Sequence, residues 1–141
     1  MTAEVFLDTG YVIALAAPTD QLHATARALA DQMAKDGTRI VTTRAVLLEI
    51  GNALAKQRYR PAAVQILTSL ESDPRVTIVG LSDALFTQGF EMFCNRKDKE
   101  WGLIDCISFV VMTERGISDA LAFDEHFEQA GFRSLLRGKP S

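Results

Sequence analysis

Short apolar runs alternate with helical stretches along this chain, and aspartates close the first and last of the runs. Asp8 ends Val5-Phe6-Leu7, and Asp124 ends Leu121-Ala122-Phe123. Strands that alternate with helices need crossover connections, which produce a parallel sheet with helices on both faces. The expected fold class is therefore α/β. In such folds, residues just past the strands and at the starts of the following helices line one edge of the sheet.

The spacing predicts strands over 4–8, 39–43, 76–81 and 117–123, with an edge strand over 132–136. Leu22, Ala26, Leu29, Ala30 and Met33 recur at helical spacing, so a helix is expected over 20–36, stopped by Gly37. Further helices are expected after Gly10, over 44–58 capped by Thr43, from Pro61 to Ser72, and after Ser82 to Asn95. Residues 96–104 read as a polar loop. A buried helix follows over 105–115, and a short one runs from Asp124 through Ala130. Gly116 and Gly131 end these two helices.

A chain of 141 residues suits one compact domain. It is expected over 1–136, with a tail over 137–141. The hydrophobic fraction of 48% is that of a globular protein. No apolar stretch approaches the roughly 20 residues of a membrane helix, and no basic-then-apolar segment opens the chain. Cys94 and Cys106 have no metal spacing, so both are expected as buried reduced thiols of a cytoplasmic protein. The net charge of −3 does not announce nucleic-acid binding. Nor does it exclude it, because carboxylates that hold a metal contribute to that count.

Asp8, Glu49, Asp105 and Asp124 are the candidate site. Each also has a plain structural reading. Asp8, Asp105 and Asp124 can cap helices, where the dipole and free N–H groups stabilise a carboxylate. Glu49 shares an apolar helical stripe with Val46, Ile50 and Ala53, where an unpaired charge costs several kcal/mol. Snorkelling at the rim is its alternative. The case rests on convergence: acids from separate elements, all at one sheet edge, stay ionised together only around a divalent cation. Mg²⁺ or Mn²⁺ is expected, with phosphodiester chemistry as its use. Thr9, Asn52 and Asp98 are the supporting candidates around these acids. Apolar residues before Asp-Thr-Gly also mark aspartic proteases, but those are built from strands and this chain reads helical after Gly10.

His23 and His126 lack Cys or His partners at metal spacing and read as structural or surface residues. Trp101 reads as packed on the domain, with base stacking as its alternative. Lys56, Arg58 and Arg60, and Arg96, Lys97 and Lys99, form basic runs that flank the acids and suit phosphate contacts or plain solvation. Phe86, Phe90 and Phe93 suit a partner surface or the core.

Taken in order, four segments resemble the PIN-domain nuclease family, in particular the toxin half of VapBC-type toxin–antitoxin pairs. They are Phe6-Leu-Asp-Thr-Gly-Tyr-Val-Ile-Ala-Leu15, Leu48-Glu-Ile-Gly-Asn-Ala-Leu54, Asp98-Lys-Glu-Trp-Gly-Leu-Ile-Asp-Cys-Ile-Ser108 and Ala122-Phe-Asp-Glu-His-Phe127. The resemblance implies a three-layer α/β/α sandwich around a mostly parallel sheet. It implies an endoribonuclease that uses one or two Mg²⁺ or Mn²⁺ ions and leaves 5′-phosphate and 3′-hydroxyl ends. Asp8 and Asp105 would be the central ligands, and Glu49 and Asp124 would bind a second ion or position the water. It further implies a homodimer, an RNA substrate and a VapB-like antitoxin whose segment crosses the site groove. Relatives often carry a hydroxyl near the third acid, where this chain has Gly102 and Ile104, and a Thr where it has Ala122. The alternative reading is a PIN-like module that binds RNA or protein without catalysis.

Overall fold

The computed structural model describes residues 3–137. A single five-stranded sheet has the order β3-β2-β1-β4-β5, with every neighbouring pair parallel. Strand β1 spans Glu4–Leu7 and is followed by helices α1 (Thr9–Ala16) and α2 (His23–Asp36). Strand β2 (Arg39–Thr43) leads into α3 (Arg44–Ala53) and α4 (Arg60–Ser72). Strand β3 (Val76–Val79) leads into α5 (Asp83–Asn95) and α6 (Leu103–Arg115). Strand β4 (Asp119–Leu121), α7 (Glu125–Gln129) and β5 (Arg133–Ser134) complete the sheet. The expected α/β class, a parallel sheet flanked by helices, is the one observed. No helix among the described residues is long and apolar enough to cross a membrane.

The strand order places the site. From β1 the chain steps outward to β2 and β3, then returns to the other side of β1 for β4 and β5. The direction of winding therefore reverses between β1 and β4. At such a switch point the connections leave in opposite directions and open a crevice beyond the strands' carboxyl ends. Asp8 and Asp124 follow the two strands that flank it.

Local chemistry sets most boundaries where the residue types predict them. Thr43 Oγ1 accepts from the Val46 N–H at 3.1 Å and starts α3; Ser82 Oγ accepts from the Leu85 N–H at 3.0 Å and starts α5. Gly37 and Gly116 take left-handed φ values of 67° and 66° and end α2 and α6. Three helices differ from expectation. Asp20 Oδ1 accepts from the Leu22 N–H at 2.8 Å, and this local turn delays α2 to His23. Helix α3 stops at Ala53 instead of running to Arg58. Helix α6 begins at Leu103, so Asp105 lies within its first turn rather than at its head.

Phe6, Val41 and Leu121 from the sheet pack with Ile50 of α3, Phe109 and Met112 of α6 and Phe127 of α7, all fully buried. The rings of Phe109 and Phe127 meet edge to face at 5.0 Å. Cys106 is buried as expected, but Cys94 is exposed on α5. Core packing does not account for Phe86, Phe90 and Phe93. They stack along α5 at centroid spacings of 6.2 and 6.5 Å and stay 44–47% exposed. Arg137, where a tail was expected to begin, belongs to a closing 3-10 turn and pairs with Glu128 at 3.0 Å. Residues 138–141 of that tail lie outside the described residues.

Helices α5 and α6 touch at Gly89. A Cβ built there would lie 2.5 Å from Ile107 Cγ1 and 3.2 Å from its Cα. Gly89→Ala gains up to ~1 kcal/mol of helix propensity, but overpacking costs about 1–3 kcal/mol. A net loss of about 1 kcal/mol or more is expected in urea unfolding; an unchanged or raised midpoint would mean that α6 yields freely.

Candidate metal centre

The four acids expected to meet do meet. Asp8, Glu49, Asp105 and Asp124 line one cleft of about 550 Å³ at the carboxyl ends of β1 and β4, together with Thr9, Asp20 and His126. Each acid arrives by a different route. Asp8 follows β1 directly, and its backbone N–H donates to the Leu121 carbonyl at 3.3 Å. The buried Thr42 hydroxyl donates to the Leu7 carbonyl at 2.9 Å, which ties β2 to the end of β1. Asp8 occupies the N-cap position of α1, but its side chain makes no capping hydrogen bond. The capping reading of Asp8 thus fails, and its carboxylate is left to face the cleft.

Glu49 is half-buried on α3, and the Thr9 hydroxyl donates to its Oε1. Thr9 itself is 7% exposed and opens α1, so this bond links the first turn after β1 to the helix after β2. Asp105 Oδ2 accepts from the Gly102 N–H at 3.3 Å and lies 3.1 Å from His126 Nδ1. Asp124 caps α7, accepting from the His126 N–H at 3.1 Å. The capping reading of Asp124 is therefore correct, and it does not remove the residue from the cleft.

Burial is the dominant electrostatic fact. Asp8 is 6% exposed, and burial pushes its carboxyl up to about 8, with Asp105, Asp124 and Glu49 adding repulsion. Burial also raises Asp105, against the opposing pull of His126. Among the described residues, no Lys or Arg pairs with any of the four acids. One donor atom from each of Asp105, Asp124 and His126 lie within 4.8 Å of one another.

Other expected residues fall elsewhere. Asn52 is exposed and does not line the cleft, and it is the Thr9 hydroxyl that bonds Glu49. Asp98 is exposed and held by Arg96 through two hydrogen bonds of 3.0 Å, so it is a paired loop charge. Trp101 is buried. Its Nε1–H donates to Gln129 Oε1 at 3.0 Å, and the Arg96 guanidinium stacks on its ring at 4.7 Å, so no face is free for a base. His23 Nδ1 lies 2.8 Å from the Ala14 carbonyl, a structural role as expected. His126, expected as a structural or surface residue and not as part of the site, lines the cleft among the acids. Its spacing from Asp124, two residues into the same capped turn, was the signal that could have found it. Ala122, where relatives carry a hydroxyl, is fully buried, and Ser134 Oγ donates to the Asp124 carbonyl at 3.3 Å.

A PIN domain model matches residues 5–133. The chain belongs to the PIN domain family. It is 30% identical over 128 residues to the 23S rRNA-specific endonuclease VapC20 of Mycobacterium tuberculosis strain CDC 1551, covering 91% of this chain and 95% of that one. The VapC20 of strain H37Rv matches to the same extent. The crystal structure of M. tuberculosis VapC20, described as a sarcin–ricin loop cleaving toxin, superposes with a TM-score of 0.80 at 30% identity, again covering 91% and 95% of the two chains. The resemblance to VapC-type toxins drawn from the four segments is thus supported along nearly the whole chain.

Asp8 gives the ion-free protein a pH signature. Folded, it keeps its proton until about pH 8; unfolded, it releases it near 3.8. Between these limits the folded state binds more protons, so this group makes stability fall as pH rises from about 4 to 8. In EDTA at pH 8, Asp8→Asn is expected to raise stability, on the order of 1–3 kcal/mol, and to flatten that slope. Thermal melts across pH check it; an Asn variant no more stable than wild type at pH 8 would show that Asp8 ionises freely.

Proposed function

We propose that this chain is a divalent-metal-dependent endoribonuclease and the toxin of a toxin–antitoxin pair. The observation that carries the reading is the buried Asp8 beside Glu49, Asp105 and Asp124 in an open cleft, with no Lys or Arg among the described residues paired to them. Its likeness to VapC20 endonucleases supports RNA as the substrate, with a structured ribosomal loop as the first class to try. A VapB-like antitoxin and a homodimer enter on the same footing.

The donors suit the expected ion. Hard carboxylate oxygens favour Mg²⁺ or Mn²⁺, and a cluster that resists ionising alone is one that a cation stabilises. Asp8, Glu49, Asp105 and Asp124 would hold it. Bound there, it would supply an activated water and charge stabilisation for attack on phosphorus. The chain's own residues prepare the rest. The Asp8 backbone is held by the strand end, by its own N–H on Leu121 and by Thr42 on the Leu7 carbonyl. Thr9 turns Glu49 inward. The Gly102 N–H holds one oxygen of Asp105, and His126 Nδ1 faces that oxygen at 3.1 Å. The cleft is open to solvent, which would admit a phosphate backbone.

An RNA oligonucleotide bearing a sarcin–ricin loop should be cut in Mn²⁺ or Mg²⁺ and stay intact in EDTA. Asp105→Asn should lower kcat at least ~100-fold, as expected when about 3 kcal/mol of metal-borne stabilisation is lost. Wild-type protein that binds the ion but leaves this RNA intact would redirect the search to another RNA. Protein that neither binds nor cuts would leave the non-catalytic module. Thr9→Val, which frees Glu49 without removing a carboxylate, should cost about 10-fold in kcat with the fold intact; unchanged kcat would deny Thr9 an orienting role.

A further inference from the structure

His126 stands in the cleft with a geometry that the four acids do not require. Its Nδ1 and Asp105 Oδ2 face each other at 3.1 Å, and a donor atom of Asp124 lies within 4.8 Å of both. Adjacent ligands on an octahedral ion with bonds of 2.0–2.1 Å lie roughly 3 Å apart. The imidazole and the carboxylate are therefore already spaced as neighbouring donors to one ion. The backbone limits the ring's freedom as well. The His126 N–H is bound to Asp124 Oδ1 at 3.1 Å, so the acid and the imidazole are set by one capped turn. The ring is half-exposed, and no other side chain hydrogen-bonds to it among the described residues.

We infer that His126 is a nitrogen ligand of the divalent-cation site, on the side formed by Asp105 and Asp124. This rests on the metal-dependent reading above and adds a donor outside the acid quartet. Its chemical consequence is selectivity. An all-oxygen site suits Mg²⁺, whereas an imidazole nitrogen favours first-row transition ions. The centre should then bind Mn²⁺ more tightly than Mg²⁺, and His126 should account for the difference.

The chain has only two histidines, and His23 is tied to the Ala14 carbonyl. Pulsed EPR of bound Mn²⁺ therefore gives a clean readout. The wild type should show a directly coordinated nitrogen whose coupling changes on ¹⁵N-histidine labelling. His23→Gln should keep it. His126→Gln should lose it while still binding Mn²⁺ through the carboxylates, about 10-fold more weakly and with Mg²⁺ affinity nearly unchanged. Mn²⁺ bound to wild type without a nitrogen coupling would overturn the assignment and leave His126 as a hydrogen-bond partner of Asp105. Wild type that binds no Mn²⁺ would overturn the metal centre itself.

Discussion

A buried carboxylate that no Lys or Arg among the described residues pairs with is the constraint on which this structure turns. Asp8 sits at the end of a central strand, almost sealed from water, with three more acids around the same cleft. A cluster of this kind has two ways to exist. It can hold protons, as the raised values of Asp8 and Asp105 indicate, or it can hold a cation. At neutral pH the folded protein keeps the Asp8 proton, at a cost in stability set by the gap between about 8 folded and 3.8 unfolded. The fold thus stores a preference for positive charge at one point, and the neighbouring hydrogen bonds serve to keep that point from relaxing.

The rigidity is distributed over backbone and side chains that carry no charge. The Thr42 hydroxyl holds the carbonyl before Asp8, and Asp8 itself is tied to β4 by its own N–H. Thr43 caps the helix that brings Glu49, and Asp124 caps the short helix that brings His126. One residue can satisfy a helix end and face the cleft at once, because a carboxylate has more lone pairs than a cap consumes. Near the positions where relatives carry hydroxyls, the Gly102 N–H donates to Asp105 and the Ser134 hydroxyl to the Asp124 carbonyl.

Much of this was legible in the residue order, for physical reasons. Caps and left-handed glycines act locally, so Thr43, Ser82, Gly37 and Gly116 read directly as boundaries. Alternation of strand and helix dictates the parallel sheet, and the strand-end acids follow from it. What was not legible depends on distant partners. Thr9 and Glu49 are 40 residues apart, and His126 and Asp105 are 21 apart. Neither pairing has a local signature. Asn52 was misplaced because α3 turns it to solvent. Asp98 was overvalued because its nearest cation, Arg96, satisfies it. Asp20 was read as a helix start, but its turn brings it to the mouth of the cleft.

Stability and function are coupled through the same group. A ligand that binds only the folded state stabilises it by about 2.7 kcal/mol at a hundredfold excess over Kd. An ion held by Asp8 and its neighbours would add that contribution where the unliganded fold is weakest, at and above neutral pH. Replacing Asp8 by a neutral residue would therefore strengthen the bare fold and weaken its response to the ion. Capping does not account for a carboxylate that destabilises the empty protein, since the Asp8 side chain makes no cap hydrogen bond; the cation of the proposed function would.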